Sequence, residues 1–204
     1  MIAIADCGLG NLPALANMVA KAGGQARLIS DPAGLAAAER LILPGVGAWD
    51  AGVERLRAGG WWDPILAFAA AGKPLLGVCL GMQLLGGGSA EGRLPGLGLI
   101  RGGCERLPEQ VEGRRLRVPH MGWNDVRLRG EAPLLRGLER EARFYFAHSY
   151  RLRCQDEGDV AAVAEYGVEL TAYVRRGAVQ GVQFHPEKSH RFGLTLFKNL
   201  LAGG

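Results

Sequence analysis

The segment PLLGVCLGMQLLGGG, Pro74 to Gly88, restricts the fold of this chain more than any other stretch. Its opening residues are apolar without alternation, as in a strand buried on both faces. They run into Gly77-Val78-Cys79-Leu80-Gly81 and then into a helical pattern. A cysteine that fills a core gap needs no flanking glycines. One on a sharp strand-to-helix turn does, because the two elements approach closely there. This is the layout of a nucleophile elbow with cysteine in place of serine. Such a turn exposes Cys79 at the carboxyl edge of a sheet and at a helix start, where the dipole favours the reactive thiolate. Gln83, one helical turn on, shares the face of Cys79 and is a candidate substrate contact. The alternative is a buried cysteine with packing glycines; the elbow layout disfavours it, and the partner groups decide.

The rest of the first half alternates short apolar runs with helical patterns. MIAIAD, QARLIS and ERLILPG read as strands; Leu12 to Ala22, AWDAGVERLR and WDPILAFAAAG read as helices. That order predicts a parallel sheet covered on both faces. After Gly86 come successive strand-like runs: GLGLIRGGCERLP, RRLRVPHMGWNDVRL, ARFYFAHSYRLR, VAAVAEYG, ELTAYVRRG and AVQGVQFHPE. RFGLTLFKNLL closes the chain as an amphipathic helix. With no repeat or linker, the expectation is one α/β domain over 1–204, its central sheet mixed but mostly parallel and flanked by helices.

Composition narrows the class. The 204 residues, 48% hydrophobic and 22% charged, suffice for a full core. No apolar run is long enough to cross a bilayer, and MIAIADCGLGN lacks the basic flank of a signal peptide, so a cytoplasmic protein is expected. Cys7, Cys79, Cys104 and Cys154 form no C-x-x-C pair, which argues against structural zinc and a disulfide framework. The net charge of +4 comes from arginines interleaved with acids. Their densest cluster, EGRRLRV at 112–118, reads as a solvated strand face or docking edge rather than a nucleic-acid stripe.

A thiol nucleophile needs a base, and the base an orienting group. GVQFHPEKS supplies both. His185 and Glu187, two apart at the end of an apolar strand, leave on one face, so the carboxylate can fix the imidazole tautomer. H-x-E also serves zinc deaminases, but the P-C-x-x-C partner they need is missing. LILPGVGAWD ends a third strand at Gly45-Val46-Gly47, where backbone N–H groups can join that of Leu80 as an oxyanion hole. Gly8 and Gly10 match two glycines of a dinucleotide fingerprint, but Pro13 takes the third place; a tight turn is the better reading, with Asn11 free to face a partner.

With P-G-V-G, G-V-C-L-G-M-Q and H-P-E in this order and spacing, the whole chain resembles the class I (triad) glutamine amidotransferases, a flavodoxin-like α/β family. VPHMGWN at 118–124 and YFAHSY at 145–150 resemble the branch that forms the glutaminase subunits of imidazole glycerol phosphate synthases. Cys7 departs from that branch, which has tyrosine there. The resemblance implies glutamine as substrate, Cys79 as nucleophile, His185 as base and Glu187 as its partner. It implies Gly47, Gln83, Ser149 and Tyr150 as glutamine-holding positions, the last two through backbone groups. It also implies a TIM-barrel cyclase as one-to-one partner, receiving ammonia in histidine biosynthesis, with Asn11, Met121, Trp123 and Lys188 near the interface. No cofactor or metal is implied. Two alternatives remain: the glutaminase of pyridoxal phosphate synthase, and a non-enzymatic cysteine-elbow stress or chaperone protein. PHMGWN and YFAHSY weigh against the former, and H-P-E with P-G-V-G against the latter.

Overall fold

In β1 (Ile2–Ala5), Ile2 and Ile4 point into one hydrophobic core and Ala3 and Ala5 into another, all buried. The chain therefore builds on both faces of a sheet, as unalternating apolar runs require. The computed structural model describes all 204 residues. Its remaining strands are β2 (Ala26–Ile29), β3 (Arg40–Gly45), β4 (Leu75–Cys79), β5 (Gly102–Arg106), β6 (Gln110–Val111) and β7 (Arg114–Arg115). They continue with β8 (His120–Leu128), β9 (Arg143–His148), β10 (Tyr150–Cys154), β11 (Val160–Glu165), β12 (Glu169–Arg176) and β13 (Val179–Val182). The helices are α1 (Leu12–Lys21), α2 (Trp49–Ala58), α3 (Trp62–Ala70), α4 (Leu80–Leu84) and α5 (His190–Leu201).

Nine strands form the main sheet in the order β2-β1-β3-β4-β13-β12-β11-β8-β9. Pairing is parallel from β2 to β13 and antiparallel from β13 to β9. One core holds residues of α1 and α5, including Leu15, Val19, Leu196 and Phe197; the other holds residues of α2, α3 and α4, including Val53, Leu56, Ile65 and Leu84. In α5, Phe192, Leu196, Phe197 and Leu200 are buried on one stripe, each stabilising by roughly 1.5–3 kcal/mol. No helix is long and apolar enough to cross a membrane.

This order decides what meets what. The parallel strands β3, β4 and β13 bring Gly45, Cys79 and the segment leading to His185 to one edge of the sheet. Three antiparallel reversals between β13 and β8 bring the start of β8 to that same edge, and a fourth adds the end of β9. Met121, Trp123 and His148 thus share an edge with Cys79.

Three sequence expectations are corrected locally. ARFYFAHSYRLR is two strands, not one. It breaks at Ser149, whose carbonyl accepts from Leu107 N, and β10 leaves the main sheet to pair with β5. GLGLIRGGCERLP is strand only from Gly102; its first part loops under α4, with Leu97 N bonded to Leu84 O and Ile100 N to Leu85 O. RRLRVPHMGWNDVRL splits into β7 and β8 around Pro119, which has no N–H to give a ladder.

Candidate active site

Cys79 ends β4 and its neighbour Leu80 begins α4, with no connecting residue. The turn holds Cys79 at φ 55°, a left-handed conformation that is strained for a side chain bearing a β-carbon. The flanking glycines permit it. A β-carbon on Gly77 would meet the Gly81 carbonyl oxygen at 2.6 Å, and one on Gly81 would meet the Leu43 carbonyl oxygen at 2.0 Å. Both glycines are therefore required by close backbone approach. Gly45 is of the same kind: its β-carbon would fall 2.4 Å from Gly81 N. The helix that follows is short, five residues from Leu80 to Leu84.

His185 caps the start of a 3-10 turn, Pro186–Lys188, that holds Glu187, and does not end a strand, since β13 stops at Val182. Strand alternation is thus not what unites His185 and Glu187; the turn is. The His185 Nδ1 and Glu187 Oε1 atoms are 2.8 Å apart, and both side chains are about 95% buried. Its backbone is pinned as well: His185 N donates to Tyr145 O at 2.8 Å, and Ser189 Oγ donates to His185 O at 2.6 Å. Burial alone would push the imidazole pKa down. Hydrogen bonds with Cys79 and Glu187, and attraction to both, outweigh that and raise it to about 9. The second Glu187 oxygen, Oε2, is buried without a partner.

A cleft of about 210 Å3 opens beside the sulfur. Among its lining residues are Val46, Gly47, Cys79, Leu80, Gln83, Met121, Ser149 and Tyr150, so eight of the sequence-derived positions meet in one place. The volume is below the ~300–1,000 Å3 of drug-sized sites and suits a ligand the size of one amino acid. Leu80, first in its helix, has no intrahelical partner for its N–H. Gln83 is buried, and its Nε2 donates to Tyr150 O at 2.9 Å and to Gln183 Oε1 at 3.0 Å. With Ser149 O taken by Leu107 N and Tyr150 O by Gln83, this junction offers a ligand donors rather than carbonyls.

Met121 also lines the cleft and is 64% exposed. Trp123, two residues on along β8, is 39% exposed, stacks on His190 at 5.5 Å and meets Tyr145 edge-on at 6.3 Å. Lys188 Nζ lies 5.6 Å over the same Tyr145 ring. Asn11 belongs to neither group; it is exposed and its Oδ1 caps α1 by accepting from Ala14 N.

Three further residues belong to the site. Gln183 Nε2 stands 3.9 Å from Cys79 Sγ; its signal was a glutamine inside an apolar strand-like run, which a core tolerates only with a partner. Glu91 lines the cleft and its Oε2 accepts from Trp49 N at 3.0 Å; nothing in its sequence context marks it. His148 lines the cleft and bonds to His120. Burial disfavours the thiolate at the other cysteines, raising Cys7 to about 11 and Cys154 to about 12 and raising Cys104 as well.

Comparison with known proteins agrees. The family model "Glutamine amidotransferase class-I" matches residues 3–202. The chain is 45% identical over 202 residues to "Imidazole glycerol phosphate synthase subunit HisH 2" of Pseudomonas aeruginosa, covering 98% of each protein. It is also 45% identical over 202 residues to "Imidazole glycerol phosphate synthase subunit HisH" of Syntrophotalea carbinolica, again with 98% coverage of both. Among solved structures, "Crystal structure of glutamine amidotransferase" superposes with a TM-score of 0.76 over 100% of this chain and 99% of that one, at 22% identity. "Structure of PurLQS from Thermotoga maritima" gives 0.73 at 20% identity over 99% and 97%. The two structural likenesses speak to the fold alone; by the family model and the sequence matches, the chain belongs to the class-I glutamine amidotransferase family.

Proposed function

We propose that this chain, acting as one unit over 1–204, is the glutaminase subunit of an imidazole glycerol phosphate synthase. It hydrolyses glutamine to glutamate and ammonia and hands the ammonia to a TIM-barrel cyclase bound one-to-one. The observation that carries the chemistry is the buried His185–Glu187 pair at 2.8 Å, with the Cys79 thiol on its elbow beside the cleft. The pathway rests on near end-to-end similarity to relatives with that name.

In the mechanism, Cys79 Sγ attacks the side-chain carboxamide carbon of glutamine. The oxygen becomes an oxyanion, held by the N–H of Leu80 and by N–H groups of the 45–47 segment. His185, whose affinity for protons is raised, takes the thiol proton and delivers it to the departing nitrogen, which leaves as ammonia. Water then attacks the γ-glutamyl thioester, with His185 as base, releasing glutamate and restoring the thiol. Glu187 holds the ring orientation throughout. Glu91 supplies a carboxylate for the α-ammonium group, and Ser149 and Tyr150 supply donors for the α-carboxylate.

The test is synthesis by the chain with its cyclase, using glutamine or ammonium as nitrogen source. Cys79→Ala is expected to abolish the glutamine-dependent reaction and spare the ammonium-dependent one. Loss of both in an intact complex refutes the division of labour. A glutamine-shaped alkylating agent should label Cys79 and none of the other three cysteines.

A further inference from the structure

The two histidines of VPHMGWN and YFAHSY, which the mechanism above leaves unused, bond to each other. His120 Nδ1 is 3.1 Å from His148 Nε2, across the register pair that joins β8 to β9. Both rings are buried. The direction of every proton between them follows from their neighbours.

His148 Nδ1 faces Tyr150 O at 2.8 Å. A carbonyl only accepts, so this nitrogen carries the hydrogen. In a neutral ring Nε2 is then bare and needs a donor, which must be His120 Nδ1–H. That leaves His120 Nε2 bare, and Asn124 Nδ2 lies 3.3 Å from it as donor. The Asn124 amide cannot be reversed cheaply. Its Nδ2 also donates to Glu165 O at 2.8 Å, and its Oδ1 accepts from Asp125 N at 2.8 Å. The chain from Asn124 through His120 and His148 to Tyr150 O therefore runs one way, with one tautomer at each ring and no unmet group.

The surroundings keep the rings neutral and still. His120 is sandwiched between Phe146 at 4.8 Å and Tyr166 at 4.0 Å. Burial lowers His120 to about 4. It lowers His148 to about 3, with His120 and His185 adding to the fall and the Tyr150 carbonyl opposing it. The end of the chain is the informative part. Tyr150 O accepts from His148 and from Gln83 Nε2 together, and Gln83 passes its second N–H to Gln183, whose amide stands at the Cys79 sulfur.

We infer that Asn124, His120 and His148 are positioning residues. They fix the Ser149–Tyr150 peptide, and through it the Gln83 carboxamide, in the orientation that receives glutamine. This rests on the glutaminase reading above and adds to it a device that acts on substrate placement and leaves the thiol's own reactivity alone. His120 and Asn124 touch neither substrate nor sulfur. They act by denying His148 its other tautomer, which would turn a bare nitrogen toward the Tyr150 carbonyl.

Two measurements test it on the full chain. Nitrogen-15 imidazole spectra at neutral pH should show both rings neutral with the proton on Nδ1; an Nε2–H ring at either position overturns the relay. Alkylation of Cys79 is then compared for a glutamine-shaped agent and for iodoacetamide, in the parent chain, His148→Phe and His148→Asn. His148→Phe should slow the glutamine-shaped agent about tenfold, the loss expected from a broken buried hydrogen bond, while iodoacetamide stays within about twofold. His148→Asn, which keeps an N–H toward Tyr150 O, should recover part of the difference. His120→Phe, which preserves the aromatic sandwich, should resemble His148→Phe. Equal slowing of both agents, or slowing of neither, refutes the positioning role. A parent chain that shows no preference for the glutamine-shaped agent refutes the glutaminase reading instead.

Discussion

Gly81 lies so close to Leu43 that a β-carbon on the glycine would come within 2.0 Å of the leucine carbonyl oxygen. The atom it would strike is backbone in the middle of a buried strand, so neither side can yield by a rotamer change. Gly81→Ala must therefore shift β3 or the elbow. Overpacking of this kind costs about 1–3 kcal/mol, and the displaced Leu80 N–H should reduce glutaminase turnover by about 100-fold or more. Gly88→Ala, where a β-carbon meets nothing within 4 Å, is the control; it should change stability by less than about 0.5 kcal/mol. Denaturant melts and turnover of both variants decide the matter, and equal stability of the two contradicts it.

Trp123 is exposed and flanked by exposed Met121 on the edge that carries the active site. Its stacking on His190 holds the indole ready for a partner. Trp123→Ala should leave the melting temperature of the free chain nearly unchanged and weaken assembly with the cyclase by about 2 kcal/mol or more, some 30-fold in Kd. A free chain that unfolds, with unaltered affinity per folded molecule, would show the tryptophan to be structural.

Histidines give stability opposite slopes on the two sides of neutrality. His185, raised to about 9 because its bonds to Cys79 and Glu187 outweigh its burial, binds its proton more tightly folded than unfolded. Its contribution is complete below about 6.5 and is lost as pH climbs through 9. His120 and His148, lowered to about 4 and about 3 by burial, contribute fully above about 6.5 and lose that contribution as pH falls toward those values. Each limb should slope by up to about 1.4 kcal/mol per pH unit per group. Glu187→Gln should flatten the alkaline limb of a plot of Tm against pH, and His148→Phe the acid limb. Limbs that neither variant alters would exclude these three rings as the source.

The oxyanion segment has one fixed glycine and one free one. Gly45 is locked against Gly81 and Leu80, whereas Gly47 sits at φ 125° with open space around its α-carbon, beside a Val46 that is 54% exposed. Rotation of the Val46–Gly47 peptide is thus inexpensive, and it would exchange an N–H for a carbonyl at the oxyanion site. One lost donor there costs about 100- to 1000-fold in rate. The free chain should accordingly be a slow glutaminase, and the complex holding a non-reacting cyclase ligand a fast one, with Lys188 as the candidate coupler. Turnover in the free chain, the bare complex and the liganded complex tests this; three similar values would dismiss the switch.

Much of the site was legible because its chemistry is local. The two glycines around Cys79 announce a close strand-to-helix turn, since no other residue fits against Leu43 and Gly81. The H-x-E spacing announces a paired imidazole, although the element that joins the pair turned out to be a 3-10 turn and not a strand. Less legible was ARFYFAHSYRLR, a strand-like run with no glycine or proline to mark the change of sheet at Ser149. Burial alternates along β9, whereas in β10 both Arg151 and Leu152 are buried, and which strand each segment pairs with is set by residues far away in sequence.

By its sequence alone this chain determined its alternating architecture, the elbow at Cys79 and the close pairing of His185 with Glu187, because periodicity and backbone sterics act over a few residues. Only the tertiary structure decided that Gln83 meets the Tyr150 carbonyl, that Glu91 lines the cleft, and that His120 and His148 bond to each other between two strands. Those contacts link residues separated by up to 67 positions in sequence. They follow from strand order, and a single donor or acceptor carries no local mark of the group it will face across a sheet.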